Sequence, residues 1–513
     1  MNSFWLVAQT DPAHTALVTP EGGEVSAGAL LAACNQVVHG LRARGLGEGA
    51  TVAVLLPNGP EMLEVYLAAM QAGWYITPLN THLTPAEMAY VLGDARVEAF
   101  IAHERLADKA LDAARQAGLA PSICFGVGPV GGFADFAALK ASQPASRPDA
   151  RRGGQLLQYT SGTTGQPKGV RRKIDPIDPD VQAHAYSAQL SRFDIQPGGD
   201  GVHLCGSPMY HLAALSYAWF SLHFGHTVVL MDKWTAQGCL EQIERYRVTT
   251  TQMVPTQFHR LLQLPAEVRA RYDHSSLRQV LHAAAPCPVD VKRRMLEWWG
   301  PVIYEYYGAS EGGGTLVKPR EWLEHPGTVG RAWEGAEVRI YDDAGQQLGP
   351  GETGNVYMKL MGDFEYGGDP GKTRGSRIGN FFTAGDVGWL DAEGYLFLSD
   401  RKIDMIIAGG VNVYPAEIEG ALLRHPAVGD AAVFGIPDPD WGEQVKAVVE
   451  PVPGRLAGPE LAETLMTHCR ESLASYKCPR TIDFVDALPR DPNGKLYKRK
   501  LRDPYWVGRE RKI

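Results

Sequence analysis

The chain has 513 residues, 44% of them apolar and 21% charged. That is the balance of an ordinary soluble globular protein, and the length exceeds what one hydrophobic core usually fills, so two or more domains are expected. The net charge of −8 argues against a nucleic-acid binder, and seven scattered cysteines without a Cys-x-x-Cys pair give no metal site and read as reduced thiols in a cytoplasmic protein.

Taken in chain order, the start MNSFWLVAQTDPAH has no basic region before its short apolar stretch, so no targeting segment is expected. Over the first four-fifths, short apolar strands alternate with amphipathic stretches: 51–56 then 61–72, 99–102 then 107–117, and 227–230 then 236–246 then 250–254. This alternation predicts parallel sheets covered by helices. Residues 213–231 are the most apolar region, but Ser216, His223, Gly225 and His226 interrupt it. It is too short and polar to span a bilayer, and predicts a buried helix followed by a strand. From about Thr328 the pattern becomes glycine-punctuated short strands (337–341, 354–359), predicting a β-rich subdomain over 328–400. Beyond Arg401 come 403–408, the amphipathic 415–423, the strand-like 430–435, 444–450 (QVKAVVE), the helix-like 460–473 and the strand-like 481–485. The expected fold is α/β, with a large N-terminal domain (1–401) and a small, mobile α+β C-terminal domain (402–513).

The richest chemistry lies in residues 159–170, YTSGTTGQPKGV. Four hydroxyls (Thr160, Ser161, Thr163, Thr164) stand among Gly162, Gly165 and Gly169, with one charge, Lys168. Glycines let backbone N–H groups approach a ligand, hydroxyls add donors, and lysine adds positive charge. That is an anion cradle suited to nucleotide phosphates. It is not a Walker A loop, whose Gly-x-x-x-x-Gly-Lys-Ser/Thr spacing is missing.

This string resembles the phosphate loop of the adenylate-forming superfamily, which includes acyl-CoA synthetases, peptide-synthetase adenylation domains and firefly-type luciferases. Further blocks in the expected order carry the resemblance through most of the chain: PMYHLAAL (208–215), YEYYGASEG (304–312), TAGDVGWLD (383–391), SDRKIDMIIAGGVNVYPAEIE (399–419) and LPRDPNGKLYKRKL (488–501). The resemblance implies an ATP-dependent acyl-CoA synthetase. Step one joins a carboxylic acid to AMP with release of pyrophosphate. Step two passes the acyl group to CoA, after the C-terminal domain has rotated.

Carried over residue by residue, the resemblance gives Glu311 the Mg²⁺, since triphosphate chemistry needs the metal and Mg²⁺ commonly takes only one or two carboxylates. Tyr307 packs on adenine, and Gly308 and Ser310 lie along the acyl-adenylate. HAAAP (282–286) resembles the segment SGAAP that borders adenine, which brings in Ala284, with Ala283 where glycine is usual. Ser310 replaces a usual threonine and keeps the hydroxyl, whereas Tyr306 puts a ring where a small residue is common. Asp386, expected in the glycine-flanked turn TAGDVGWLD between strands, accepts both ribose hydroxyls, as a carboxylate can, and Arg401 also reaches the ribose. His211 lines the acyl channel and gates the carboxylate. Lys495, beyond the Asn493-Gly494 turn, steadies the carboxylate and the charge developing on the α-phosphate. Lys498, Arg499, Lys500 and Arg502 read as a solvated basic tail. Gly409 and Gly410 leave a tunnel for the pantetheine arm, while Trp441, Tyr476 and Arg480 match positions that contact the CoA nucleotide. The hinge falls on Ile403, where relatives usually carry a charge, or on Asp404.

The expected partners are thus ATP, Mg²⁺, CoA and a small carboxylic acid, with no nucleic acid and no transmembrane segment; the chain is expected as a monomer or homodimer. No cation stands in GASEGGGT or SPMYHLAA, which points to an acid without a second carboxylate. A medium- to long-chain or bulky apolar acid (fatty, alicyclic or steroid side-chain) is the first reading, an aryl or arylpropenoic acid the second. The rivals are an acyl-AMP ligase serving a carrier protein, a luciferase-like oxygenase, and a nucleotide-binding sensor without catalysis.

Overall fold

Short apolar runs bounded by turn residues make the centre of each sheet. The computed structural model describes residues 2–160, 168–308, 313–359, 365–366, 376–408, 411–490 and 496–508. It divides into two compact units: Met1–Met253 with Gln263–Leu281 and Asp363–Gly375, and Val254–Leu262 with His282–Gly362 and Ser376–Ile513.

In the first unit one sheet is parallel throughout, in the order Ala134–Asp135, Cys124–Val127, Ala99–His103, Thr51–Leu55, Tyr75–Pro78, Gln155–Leu156. Thr51–Leu55 is buried at every residue, as a central parallel strand covered on both faces must be. The helix Pro60–Ala72 starts with proline in its first turn, and Pro85–Asp94 starts with a capping box between Thr84 and Glu87. A second sheet runs Gln279–His282, Thr250–Met253, Val202–Cys205, Thr227–Leu230, Thr15–Val18, Glu24–Ser26, closing in an antiparallel pair. The expected buried helix is Leu212–His223, followed by the strand Thr227–Leu230. At the helix end, His223 Nδ1 accepts the N–H of Phe4 at 2.6 Å, which ties down the N-terminal helix Phe4–Thr10.

In the second unit the glycine-punctuated strands form a sheet ordered Arg377–Ile378, Phe381–Phe382, Gly354–Lys359, Asp386–Leu390, Leu396–Arg401, with Val338–Tyr341 on Gly354–Lys359. A further sheet comprises Val411–Val413, Ile406–Ala408, Gly442–Pro451 and Val428–Asp438, with Thr481–Phe484 parallel to Gly442–Pro451. The helices Pro415–Leu423 and Pro459–Ser472 bury Ile418, Leu422, Leu465 and Cys469 against Ile406, Val433, Val445 and Val449. This α+β core follows the apolar periods read from the sequence.

Two local expectations need correction. Asp386 does not sit in a turn: it opens the strand Asp386–Leu390, paired with Arg401. In the segment 403–408 the Asp404 and Met405 N–H groups both turn back to the Arg401 carbonyl, and a strand runs Ile406–Ala408. The tail beyond Tyr497 is not wholly solvated, since Lys498–Arg502 is a short helix with a buried side. Among the described residues no helix is long and apolar enough to cross a membrane.

Candidate active site

In the first unit, the strands Gln158–Thr160 and Lys168–Arg171, on either side of residues 161–167, are antiparallel neighbours with Thr160 opposite Lys168. Gly169 lies opposite Tyr159, and a Cβ there would come within 2.9 Å of the ring. Glycine is what lets that ring lie across the strand. The Tyr159 hydroxyl donates to Asp94 Oδ2 at 2.5 Å, and burial with the neighbouring carboxylate holds it in the protonated, donating form. Arg171 closes the strand by stacking over the Tyr75 ring (4.3 Å) and donating to the Ala95 carbonyl. Ser161, Gly162, Thr163, Thr164 and Gly165 lie outside the described residues, and Thr160 and Lys168 are described in backbone only.

His211 stands at the N-terminal cap of the helix Leu212–His223, half-buried, its ring 4.4 Å from that of Tyr210. Sequence reasoning missed the residue that holds this turn. Asn58 is buried, donates to the Ser207 and Met231 carbonyls (3.0 and 2.9 Å) and accepts the Met209 N–H (2.8 Å). Its signal was the LLPNGP turn after a buried strand, where an amide can replace backbone partners on both sides.

In the second unit, the strand Ile303–Gly308 carries Tyr307 and pairs with Gly314–Val317, so Gly308 faces Gly314. The Tyr307 hydroxyl donates to Asp386 Oδ2 at 2.6 Å, and Arg401 Nε lies 3.6 Å from Asp386 Oδ1. The carboxylate is enclosed (13% exposed) and the guanidinium open (56%). One carboxylate between a phenol and a cation is suited to receive a diol, each oxygen having lone pairs to spare. Three residues from separate sequence blocks are thus brought together. Ala284 has φ +75°, a left-handed conformation strained for a residue with a side chain, as backbone at ligand sites often is. Ser310 and Glu311 lie outside the described residues. Among those described, no group of three or more His, Cys, Asp or Glu could hold a metal.

The segment of Ile403 and Asp404 is braced by the helix Lys498–Arg502. Lys498 Nζ lies 2.8 Å from Glu419 Oε1 and is largely buried. Burial pushes its pKa down, but the charges of Glu419, Asp400 and Asp404 outweigh that and hold it above the ordinary lysine value. Arg502, also buried, reaches the Ile403 carbonyl (3.4 Å) and Asp404 Oδ1 (3.6 Å). The reading of these two cations as solvated is wrong, because Glu419 of the helix Pro415–Leu423, Asp400 of the strand Leu396–Arg401, and Asp404 converge on them. Lys495 itself, and Gly409 and Gly410, lie outside the described residues.

Of the residues matched to CoA contacts, Arg480 stacks over Trp441 (4.5 Å) and pairs loosely with Asp438 (3.8 Å). Trp441 is exposed, its backbone N–H held by Asp438 Oδ1 at 2.9 Å. Tyr476 stands on a separate turn, Ser475–Lys477, under Lys477.

The family described as AMP-binding enzyme matches residues 4–362, and the AMP-binding enzyme C-terminal domain matches residues 417–495. A fatty acid–[acyl-carrier-protein] ligase of Streptomyces coeruleorubidus is 31% identical, covering 99% of this chain and 96% of its own. A long-chain-fatty-acid–CoA ligase of Mycobacterium tuberculosis is 32% identical over 92% of each chain. Among solved structures, the o-succinylbenzoate CoA synthetase of Bacillus subtilis, in complex with its acyl-adenylate intermediate, is 28% identical with a TM-score of 0.82, covering 100% of this chain and 99% of that one.

Proposed function

The chain belongs to the AMP-binding enzyme family and is an AMP-forming acid–thiol ligase; from that premise we propose that it joins a carboxylic acid to CoA at the expense of ATP. In the first half-reaction a carboxylate oxygen attacks the α-phosphorus of ATP and the bond to pyrophosphate breaks. In the second, the CoA sulfur attacks the acyl carbon, the bond to AMP breaks, and the thiol proton passes to solvent. The observation that carries the reading is the Tyr307–Asp386–Arg401 constellation, an enclosed carboxylate with an exposed cation beside it. Asp386 accepts the ribose hydroxyls while Tyr307 keeps the carboxylate oriented and offers its ring to adenine. The 161–167 loop wraps the phosphates, Lys495 steadies the charge that develops on the α-phosphate, and Gly409 with Gly410 admits pantetheine. Glu311 would hold Mg²⁺, one carboxylate alongside phosphate oxygens being a fitting donor set; the metal supplies charge neutralisation. Trp441 and Arg480 receive the CoA nucleotide.

A medium- to long-chain or bulky apolar acid is the first choice of substrate, in keeping with the names of both fatty-acid-activating relatives. An aryl acid is the second, supported by the o-succinylbenzoate enzyme. The carrier-protein ligase keeps a protein acceptor open as the alternative to CoA. A cytoplasmic location belongs to the same proposal, supported by seven free thiols, six of them buried. Lys495→Ala tests the division of labour: adenylation is expected to fall about 10²–10³-fold, while thioesterification of preformed acyl-AMP stays near wild type. Equal losses in both half-reactions contradict it.

A further inference from the structure

Glu305 stands two positions before Tyr307 on the strand Ile303–Gly308 and is 6% exposed. Its Oε2 lies 2.6 Å from Nζ of Lys292 and 3.4 Å from Nε2 of His282, both of which are fully buried. Lys292 comes from the helix Val289–Trp299 and sits 4.8 Å over the Trp322 ring; the His282 ring meets that of Phe258 edge-on at 5.2 Å. None of these groups is used by the chemistry proposed above.

Three ionisable side chains under aromatic rings make an expensive core, and an apolar trio of similar volume commonly stabilises a fold at least as well. What the apolar trio would lack is direction. The Lys292 ammonium donates to this carboxylate oxygen and ties the helix Val289–Trp299 to the strand bearing Tyr307, and the ring of His282, the first residue of the segment 282–286, packs beside the same oxygen. Two positions beyond His282 is Ala284, held at φ +75°. A strained backbone persists only where its surroundings over-determine it, and charge-assisted bonds are the directional, strong kind.

We propose that Glu305, with Lys292 and His282, is a positioning residue for the nucleotide: the buried network fixes the 282–286 segment and the strand of Tyr307 in one register, so that the adenine-binding walls are formed before ATP arrives. This rests on the ligase reading above, which makes those walls an ATP site. The network acts on ATP through Ala284 and Tyr307 and not on the acid.

The test compares wild type, Glu305→Gln, His282→Phe and the double variant Lys292→Met with Glu305→Leu. The double variant removes both charges, so no ion is left buried alone and folding is preserved. ATP affinity is read by titration calorimetry, melting temperature by calorimetric scan, and KM for ATP and for the acid by pyrophosphate release. The double variant is expected to melt near wild type yet bind ATP about tenfold more weakly, with KM for the acid within about twofold of wild type. His282→Phe, which keeps the Lys292–Glu305 pair, is expected to shift ATP affinity in the same sense. Wild-type ATP affinity in a stably folded double variant, or equal rises in both KM values, overturns the positioning role and leaves the network purely structural. Calorimetry needs no turnover, so a wild type that binds ATP but forms no pyrophosphate with any acid refutes the ligase reading separately.

Discussion

At Gly314 a single methyl group would stand 2.1 Å from Cη2 of Trp333 and 2.5 Å from the Tyr307 carbonyl oxygen. Neither neighbour can retreat cheaply, since one is a ring and the other is backbone. Gly314→Ala is therefore expected to cost about 1–3 kcal/mol, as overpacking does, and to weaken ATP binding by displacing Tyr307 from Asp386. Denaturant midpoint and ATP titration check the two effects; an unchanged midpoint contradicts the close approach. In the sequence, GASEGGGT shows only that no cation stands there, because a ring from a later stretch of the chain leaves no local trace. That Tyr307, Asp386 and Arg401 come together was legible through the family resemblance, which assigns all three to one nucleotide. Asn58 was not, since the three backbone partners of its amide come from Ser207, Met209 and Met231.

At the scale of elements, strand and helix positions were read well where apolar period and turn residues agreed, as in Thr51–Leu55 followed by Pro60–Ala72. The misreading of Lys498–Arg502 has a clear cause. The run KRKLR looks solvated by composition, and only tertiary structure reveals that Glu419, Asp400 and Asp404 face it. Through Arg502 this helix braces the segment of Ile403 and Asp404, where the hinge is expected. Lys498→Met leaves those acids without their cation and is expected to destabilise by about 3 kcal/mol, partly restored by adding Glu419→Gln. Lys500→Met, at an exposed position of the same helix, should stay within about 0.5 kcal/mol of wild type. Urea unfolding distinguishes them; equal effects of the two lysines would mean that the buried pairing contributes nothing.

Across the whole molecule, stability carries a pH signature. His203 and His223 are fully buried, and burial pushes each down to about 3. His223 must stay unprotonated at Nδ1 to accept the Phe4 N–H. A folded-state value below the unfolded one, near 6.5, means that the contribution is present above the unfolded value and is lost as pH falls toward the folded one. Each histidine should remove up to about 2 kcal/mol between about pH 7 and about pH 5. His223→Gln, which keeps an acceptor but does not titrate, is expected to flatten the fall in melting temperature over that range; an unaltered slope would show that His223 is not its source. The central claim concerns the reaction, and product stoichiometry tests it most directly. With ATP, Mg²⁺, CoA and a panel of fatty, alicyclic and aryl acids, AMP, pyrophosphate and acyl-CoA should appear in equal amounts for at least one acid, with acyl-AMP accumulating when CoA is withheld. Formation of ADP and phosphate, or of acyl-AMP that passes only to a carrier protein and never to CoA, would contradict the account.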